Sequence, residues 1–115
     1  AVFIVETHYD PAHSEERMAA RPAHLENLDV MRERGQLVNA GPLADGSGAV
    51  LIYTVPDRDV LDHLLEADPY PKTAVQVTSV REWKPITTTT SATAANLVAV
   101  EIDGMKVETR GVMES

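Results

Sequence analysis

Segments of alternating character fill the chain as far as Pro85, and their order leaves few folds open. Val2 to Thr7 is β-branched and aromatic and reads as a strand. His8-Tyr9-Asp10-Pro11 is expected to break it. Helical signals run from Ser14 to Arg34, where Met18, Leu25 and Leu28 share a face and Gly35 supplies a stop. Pro22 is expected to interrupt or restart this helix, because it lacks an N–H and clashes with the preceding turn. Leu37 to Ala40 reads as a second strand ending at Gly41-Pro42, and Asp45-Gly46-Ser47-Gly48 as a turn. Ala49 to Val55 is an apolar run too short for a helix. Asp57 is a helix N-cap, and Val60, Leu61, Leu64 and Leu65 form the stripe that this second helix buries. Asp68-Pro69 ends it, since a residue before proline avoids the α region. Val75 to Trp83 is a fourth strand. Val75 and Val77 share a face and Val80 falls on the other, so a β-bulge is needed to mend the register.

The order βαββαβ is the split-βαβ pattern of a ferredoxin-like α+β fold, with a four-stranded antiparallel sheet. Two helices on one face leave the other face bare, and that face is expected to join a second copy in a homodimer. The remainder of the chain differs in character. Thr87 to Ala95 is nearly all Thr, Ser and Ala, the composition of a linker. Leu97 to Arg110 reads as a β-hairpin about the two-residue turn Asp103-Gly104, with Val100 and Ile102 facing Val107 and Met105. The expected organisation is a core domain over 1–86, a linker over 87–96 and a C-terminal hairpin extension over 97–115.

Charge and composition narrow the function. The chain has 115 residues, no cysteine and a net charge of −8. Disulfides, thiolate metal sites and a cysteine nucleophile are excluded. An acidic chain repels phosphate backbones and anionic lipid, so neither nucleic acid nor membrane is an expected partner. No apolar run approaches the ~20 residues of a membrane span. No basic leader precedes the first strand, and a cytoplasmic location is expected. The four histidines lack metal-ligand spacing, and no glycine-rich phosphate loop or GxSxG elbow is present. Chemistry without metal or cofactor is therefore expected, on a small-molecule substrate.

His24, on the first helix, can serve as a general base or acid near neutral pH. Read alone it is as well explained as a histidine packed at a helix edge. Asp68 is odder: it sits at a helix C-terminus, where the macrodipole disfavours negative charge. A carboxylate beside a histidine fixes its tautomer and stabilises the imidazolium. Arg21 precedes His24 by three residues, on nearly the same side of the helix, and is suited to hold an anionic oxygen. Tyr70 offers a phenol or a pocket cap, and Gly41-Pro42 a strand end that admits close approach.

Taken together, Arg21-Pro22-Ala23-His24-Leu25, Ala40-Gly41-Pro42-Leu43, Asp68-Pro69-Tyr70 and Trp83-Lys84-Pro85 resemble the YciI-like (YCII-related) family in order and spacing over about residues 1–86. The resemblance implies a dimeric ferredoxin-like domain, related to the dimeric α+β barrels. It implies a site built on the family's paired histidine and aspartate, here His24 and Asp68, with Arg21, Gly41, Pro42 and Tyr70 lining the same region. One member type of that family eliminates chloride from a chlorinated hydroxyquinol, and structural relatives include muconolactone isomerases. The expected function is a cofactor-independent acid/base enzyme on a small cyclic or aromatic substrate, by elimination, dehydration or isomerisation. The alternative is a non-catalytic dimeric module that binds a small ligand or regulates a partner.

Overall fold

The computed structural model describes residues 1–87. The expected hairpin over 97–115, and all but the first residue of the expected linker, lie outside the described residues. Strand β1 spans Val2–Tyr9, helix α1 Ser14–Glu33, strand β2 Leu37–Pro42, strand β3 Gly48–Thr54, helix α2 Arg58–Glu66 and strand β4 Val75–Trp83. A 3₁₀ turn over Pro11–His13 leads into α1, with the Asp10 side chain accepting from the Ala12 N–H at 3.0 Å. The strands lie in the order β2-β3-β1-β4, every neighbour antiparallel. This is the ferredoxin-like α+β architecture that the segment order predicts.

Side-chain alternation decides which face carries the core. Phe3 and Val5 pair across from Tyr53 and Leu51, and these four pack with Met31, Leu37, Val55 and Leu61 into one cluster. Met31 of α1 and Leu61 of α2 belong to the same cluster, so both helices lie on this face of the sheet. Leu61 is fully buried, with Val60, Leu64 and Leu65 packed beside it as the sequence stripe predicts. Burial of such a leucine contributes about 1.5–3 kcal/mol.

Strand β4 keeps the core apolar by a bulge. Val5 pairs with Val80, but Thr7 pairs with Val77, so the register shifts between Glu6 and Thr7 and one extra residue, Thr78, is accommodated on β4. Val75, Val77 and Val80 thereby point to the same face despite their odd spacing. The Thr78 hydroxyl donates to the Glu6 carbonyl at 3.3 Å, across the shift.

The helix ends follow their local chemistry. The Asp57 carboxylate accepts from the Val60 N–H at 3.0 Å, the expected N-cap of α2. At the end of α1, Gly35 takes φ 76°, the Gly35 N–H donates to Arg32 O and the Gln36 N–H to Met31 O. That paired arrangement is a Schellman stop.

Four expectations are corrected. Strand β1 runs on through His8 and Tyr9, because those residues find partners in Gln76 and Val75 of β4. Helix α1 is continuous through Pro22. Proline denies a donor only to the carbonyl four residues back, that of the exposed Met18, and eleven further residues, stopped by the Schellman motif, hold the helix beyond Pro22. The stripe Met18, Leu25, Leu28 is not the buried one: Met18 is 53% and Leu25 41% exposed, and α1 is anchored through Leu28 and Met31. Strand β2 includes Gly41 and Pro42, and space beside Gly41 is open. The close approach occurs at Gly48, opposite His8, where an added Cβ would lie 1.8 Å from the Thr7 carbonyl oxygen.

That contact yields a test. Gly48→Ala must push β3 off β1 at the centre of the sheet, at a cost of about 1–3 kcal/mol. The melting temperature is expected to fall by at least about 4 °C. Calorimetry on the variant checks this, and an unchanged midpoint would show that the sheet absorbs the extra carbon.

Candidate active site

The 3.6-residue period of α1 places Arg17, Arg21, His24, Leu28 and Met31 along one side of the helix. The two C-terminal members enter the hydrophobic core. The three N-terminal members line a cleft between α1 and the sheet, which Leu28 also borders. The inward face of the helix thus changes from apolar to cationic along its length.

Asp68 follows α2. Its Oδ1 accepts the Tyr70 backbone N–H at 2.8 Å, a turn that aspartate makes readily two residues ahead of its partner. The same oxygen lies 2.9 Å from His24 Nδ1. With the carboxylate ionised Oδ1 accepts in both bonds, and in the neutral imidazole Nδ1 then carries the proton and Nε2 the lone pair. Among the described residues, Nε2 has no protein hydrogen-bond partner. The two side chains are only 12% and 16% exposed, so solvent screens their interaction little.

Tyr70 holds the imidazole from its face. The rings stack with centroids 3.8 Å apart and planes 16° from parallel. Tyr70 is itself buried in a small second cluster with Ala74 and Val75, packed against Tyr9 and Ala20. His24 is therefore fixed in tautomer by Asp68 and in plane by Tyr70. Lys72 removes the macrodipole objection to Asp68: its Nζ donates to the carbonyl of Leu65 at 3.0 Å, and lies 3.5 Å from that of Glu66. A cation on the last carbonyls of α2 offsets the negative end of the helix beside the carboxylate.

Two hollows meet at this pair of rings. The larger, of about 240 Å³, is lined by Arg17, Arg21, Gly41 and Pro42, and by His24 and Tyr70. The smaller, of about 40 Å³, shares Tyr9, His24 and Tyr70 with it and is lined as well by Asp68 and Tyr53. Of the six residues singled out from sequence, Arg21, Gly41 and Pro42 border only the larger hollow and Asp68 only the smaller. His24 and Tyr70 border both. Among the described residues no three of His, Asp and Glu gather as metal ligands do.

Three residues escaped the sequence reading. Arg17 lies with its guanidinium 4.1 Å above the Tyr9 ring, a cation–π contact. Its spacing of four from Arg21 and seven from His24 was a legible signal. Tyr9 lay in a segment read as a break, and Tyr53 joins the site only through strand register. Burial pushes the Tyr9 phenol above its ordinary value, and Tyr70 and Asp68 add to the rise while Arg17 and Arg21 oppose it. Burial likewise holds the Tyr53 phenol far above its usual range, with the Asp68 charge contributing.

Fold and site together define a ferredoxin-like domain carrying a shielded, oriented histidine at the wall of a cleft of about 240 Å³. Comparison with known proteins identifies the lineage. The family model of the YCII-related domain matches residues 1–84, and the chain belongs to that family. Protein YciI of Escherichia coli O6:H1 and of Shigella flexneri are each 29% identical over 83 residues, covering 63% of this chain and 85% of theirs. Among solved structures, 5-chloro-2-hydroxyhydroquinone dehydrochlorinase from Burkholderia phenoliruptrix, in complex with 2,5-dihydroxybenzoquinone, superposes with a TM-score of 0.64. It is 23% identical, and the match covers 73% of this chain and 94% of that one. At that identity the likeness is one of fold.

The charges around Tyr9 generate a prediction. Removing the Arg17 cation takes away a term that favours phenolate. In Arg17→Met, Tyr9 is expected to titrate at higher pH than in the unmodified protein. Phenolate absorbance against pH checks this, with Tyr9→Phe assigning the transition. An unchanged or lower midpoint would place Arg17 elsewhere.

Proposed function

We propose that the cleft is the active site of a general acid/base enzyme acting on a small cyclic or aromatic compound. The observation that carries this reading is the 2.9 Å bond between His24 Nδ1 and Asp68 Oδ1 beside the cleft. It leaves Nε2 as a base whose conjugate acid faces a shielded carboxylate. His24 takes a proton from a ring carbon, Asp68 stabilises the resulting imidazolium, and Tyr70 keeps the ring from turning. A cleft of about 240 Å³ falls below the size of drug-like sites and suits a single ring.

In an elimination the C–H bond breaks toward Nε2. Its electron pair forms the new double bond, and the leaving group departs with the pair of its own bond. In an isomerisation the same imidazolium returns the proton to another carbon. The dehydrochlorinase of the same fold supports the first of these. Charge that develops on a ring oxygen meets Arg21 at the cleft wall.

The test is turnover across hydroxylated and halogenated cyclic compounds. The unmodified protein is expected to transform at least one of them. His24→Ala should lose about 10²–10⁴ of that rate, the usual worth of a positioned base. Asp68→Asn should lose rate with little change in KM, because it disturbs the tautomer rather than the cleft. Ligands that bind and are never transformed would favour a binding or regulatory module instead.

The reading includes a second copy of the chain. Opposite the helices the sheet presents Ile4 paired with Ile52, and Val2 paired with Trp83, which is 45% exposed. An apolar sheet face of this kind calls for cover. A homodimer through it should sediment near twice the 12.5 kDa of one chain. Ile52→Asp should shift the distribution to monomer, and a monomeric unmodified protein would overturn the proposal.

A further inference from the structure

The chain carries an excess of eight negative charges, yet the cleft wall offers cations without anionic partners. Among the described residues, Arg32 pairs with Asp29, Arg58 with Asp62 and Lys84 with Glu82. Arg17 and Arg21 pair with no carboxylate; the same holds for the exposed Arg34 and Arg81, but of these four only Arg17 and Arg21 border the cleft. The Arg17 Nε is buried and has no hydrogen-bond partner, although a buried N–H of a charged group is costly to leave unmet. Both guanidiniums border the cleft that His24 borders, and both act on the Tyr9 phenol, so their charges converge on one small volume. The Tyr9 ring beneath Arg17 holds its stem and plane without neutralising it. A half-buried arginine and an exposed one, both without a carboxylate on the same cleft wall, give that wall the positive charge that an anion from outside would meet.

We propose that Arg17 and Arg21 form an anion-binding subsite, so that the cleft selects ring compounds bearing a negatively charged oxygen group such as a ring carboxylate. Arg17 is the specificity-determining residue, because it is half-buried and its guanidinium is held on the Tyr9 ring at the cleft wall. The subsite lies toward the N-terminal end of α1 from His24. A ring held by its charged group at the arginines therefore lies along the helix, its opposite side toward the imidazole. The inference extends the acid/base reading of His24, but anion binding does not require that reading to hold.

The matched probes are benzoate and benzamide, alike in shape and different in charge, with binding followed by amide chemical shifts or calorimetry. Benzoate is expected to bind at least about tenfold more tightly, the worth of one charge-assisted contact set. Its affinity should fall as salt is added. Arg17→Met and Arg21→Met keep the apolar stems, and each should remove most of the preference for benzoate. Arg58→Met, on α2 and outside the cleft lining, should leave the preference unchanged. His24→Ala should still bind benzoate. If it binds but the unmodified protein turns nothing over, the subsite stands and the acid/base reading falls. Equal binding of the two probes, no binding of benzoate, or full preference retained in both arginine variants would overturn the subsite. Should Arg17→Met fail to fold, Arg21→Met and the salt dependence of the unmodified protein decide alone.

Discussion

One carboxylate oxygen organises the site. Asp68 Oδ1 accepts from the backbone of its own turn and from a histidine 44 positions earlier. The first bond shapes the segment between α2 and β4, and the second ties that segment to α1. Tyr70 is carried by the same turn onto the face of His24, so one acceptor determines both what the imidazole donates to and what it stacks on. Each contact supports the other: a displaced Tyr70 would release the ring, and a displaced ring would leave a shielded carboxylate without its side-chain partner.

The fold was largely legible, for reasons that can be named. Strand and helix order came from hydrophobic period, the α2 cap from Asp57, the α1 stop from Gly35, and the bulge from the mismatch between Val77 and Val80. What was not legible lay in pairing. Nothing in His8-Tyr9 itself announces a strand; only the unpaired stretch of β4 beside it makes one. Likewise a proline within a helical run signals a boundary when only local preference is weighed, whereas the anchored turns on both sides of Pro22 keep α1 whole.

The site was legible in part, and the division is instructive. His24, Asp68 and Arg21 stand out as residue types in suggestive places, and the structure brings the first two into hydrogen-bond contact. Arg17 was missed because helix faces were judged by their apolar members. The inward face of α1 continues past Leu28 into Arg21 and Arg17, and a hydrophobic count stops where the cleft begins. Tyr9 and Tyr53 required the sheet register, since neither neighbours the others in sequence. Polar residues that continue an apolar stripe with unbroken period mark the point where packing gives way to a cavity.

The bulge at Thr78 has a consequence for how this strand can change over evolutionary time. It splits β4 into two half-strands whose inward and outward sides are assigned separately. The half near Val75 belongs to the small cluster beneath the tyrosines, and the half near Val80 to the main core. Loss of the Thr78 codon would leave a regular strand with Val75, Val77 and Val80 still on one face, whereas loss of a residue inside either half would invert the part beyond it and exchange core for surface. Gain or loss beyond the strand's ends would leave both assignments intact. Length variation among descendants of this chain is therefore confined to the loops and to the bulge itself, and each half of the strand beside the site is held to a fixed count of residues by a geometric parity rather than by any one side chain.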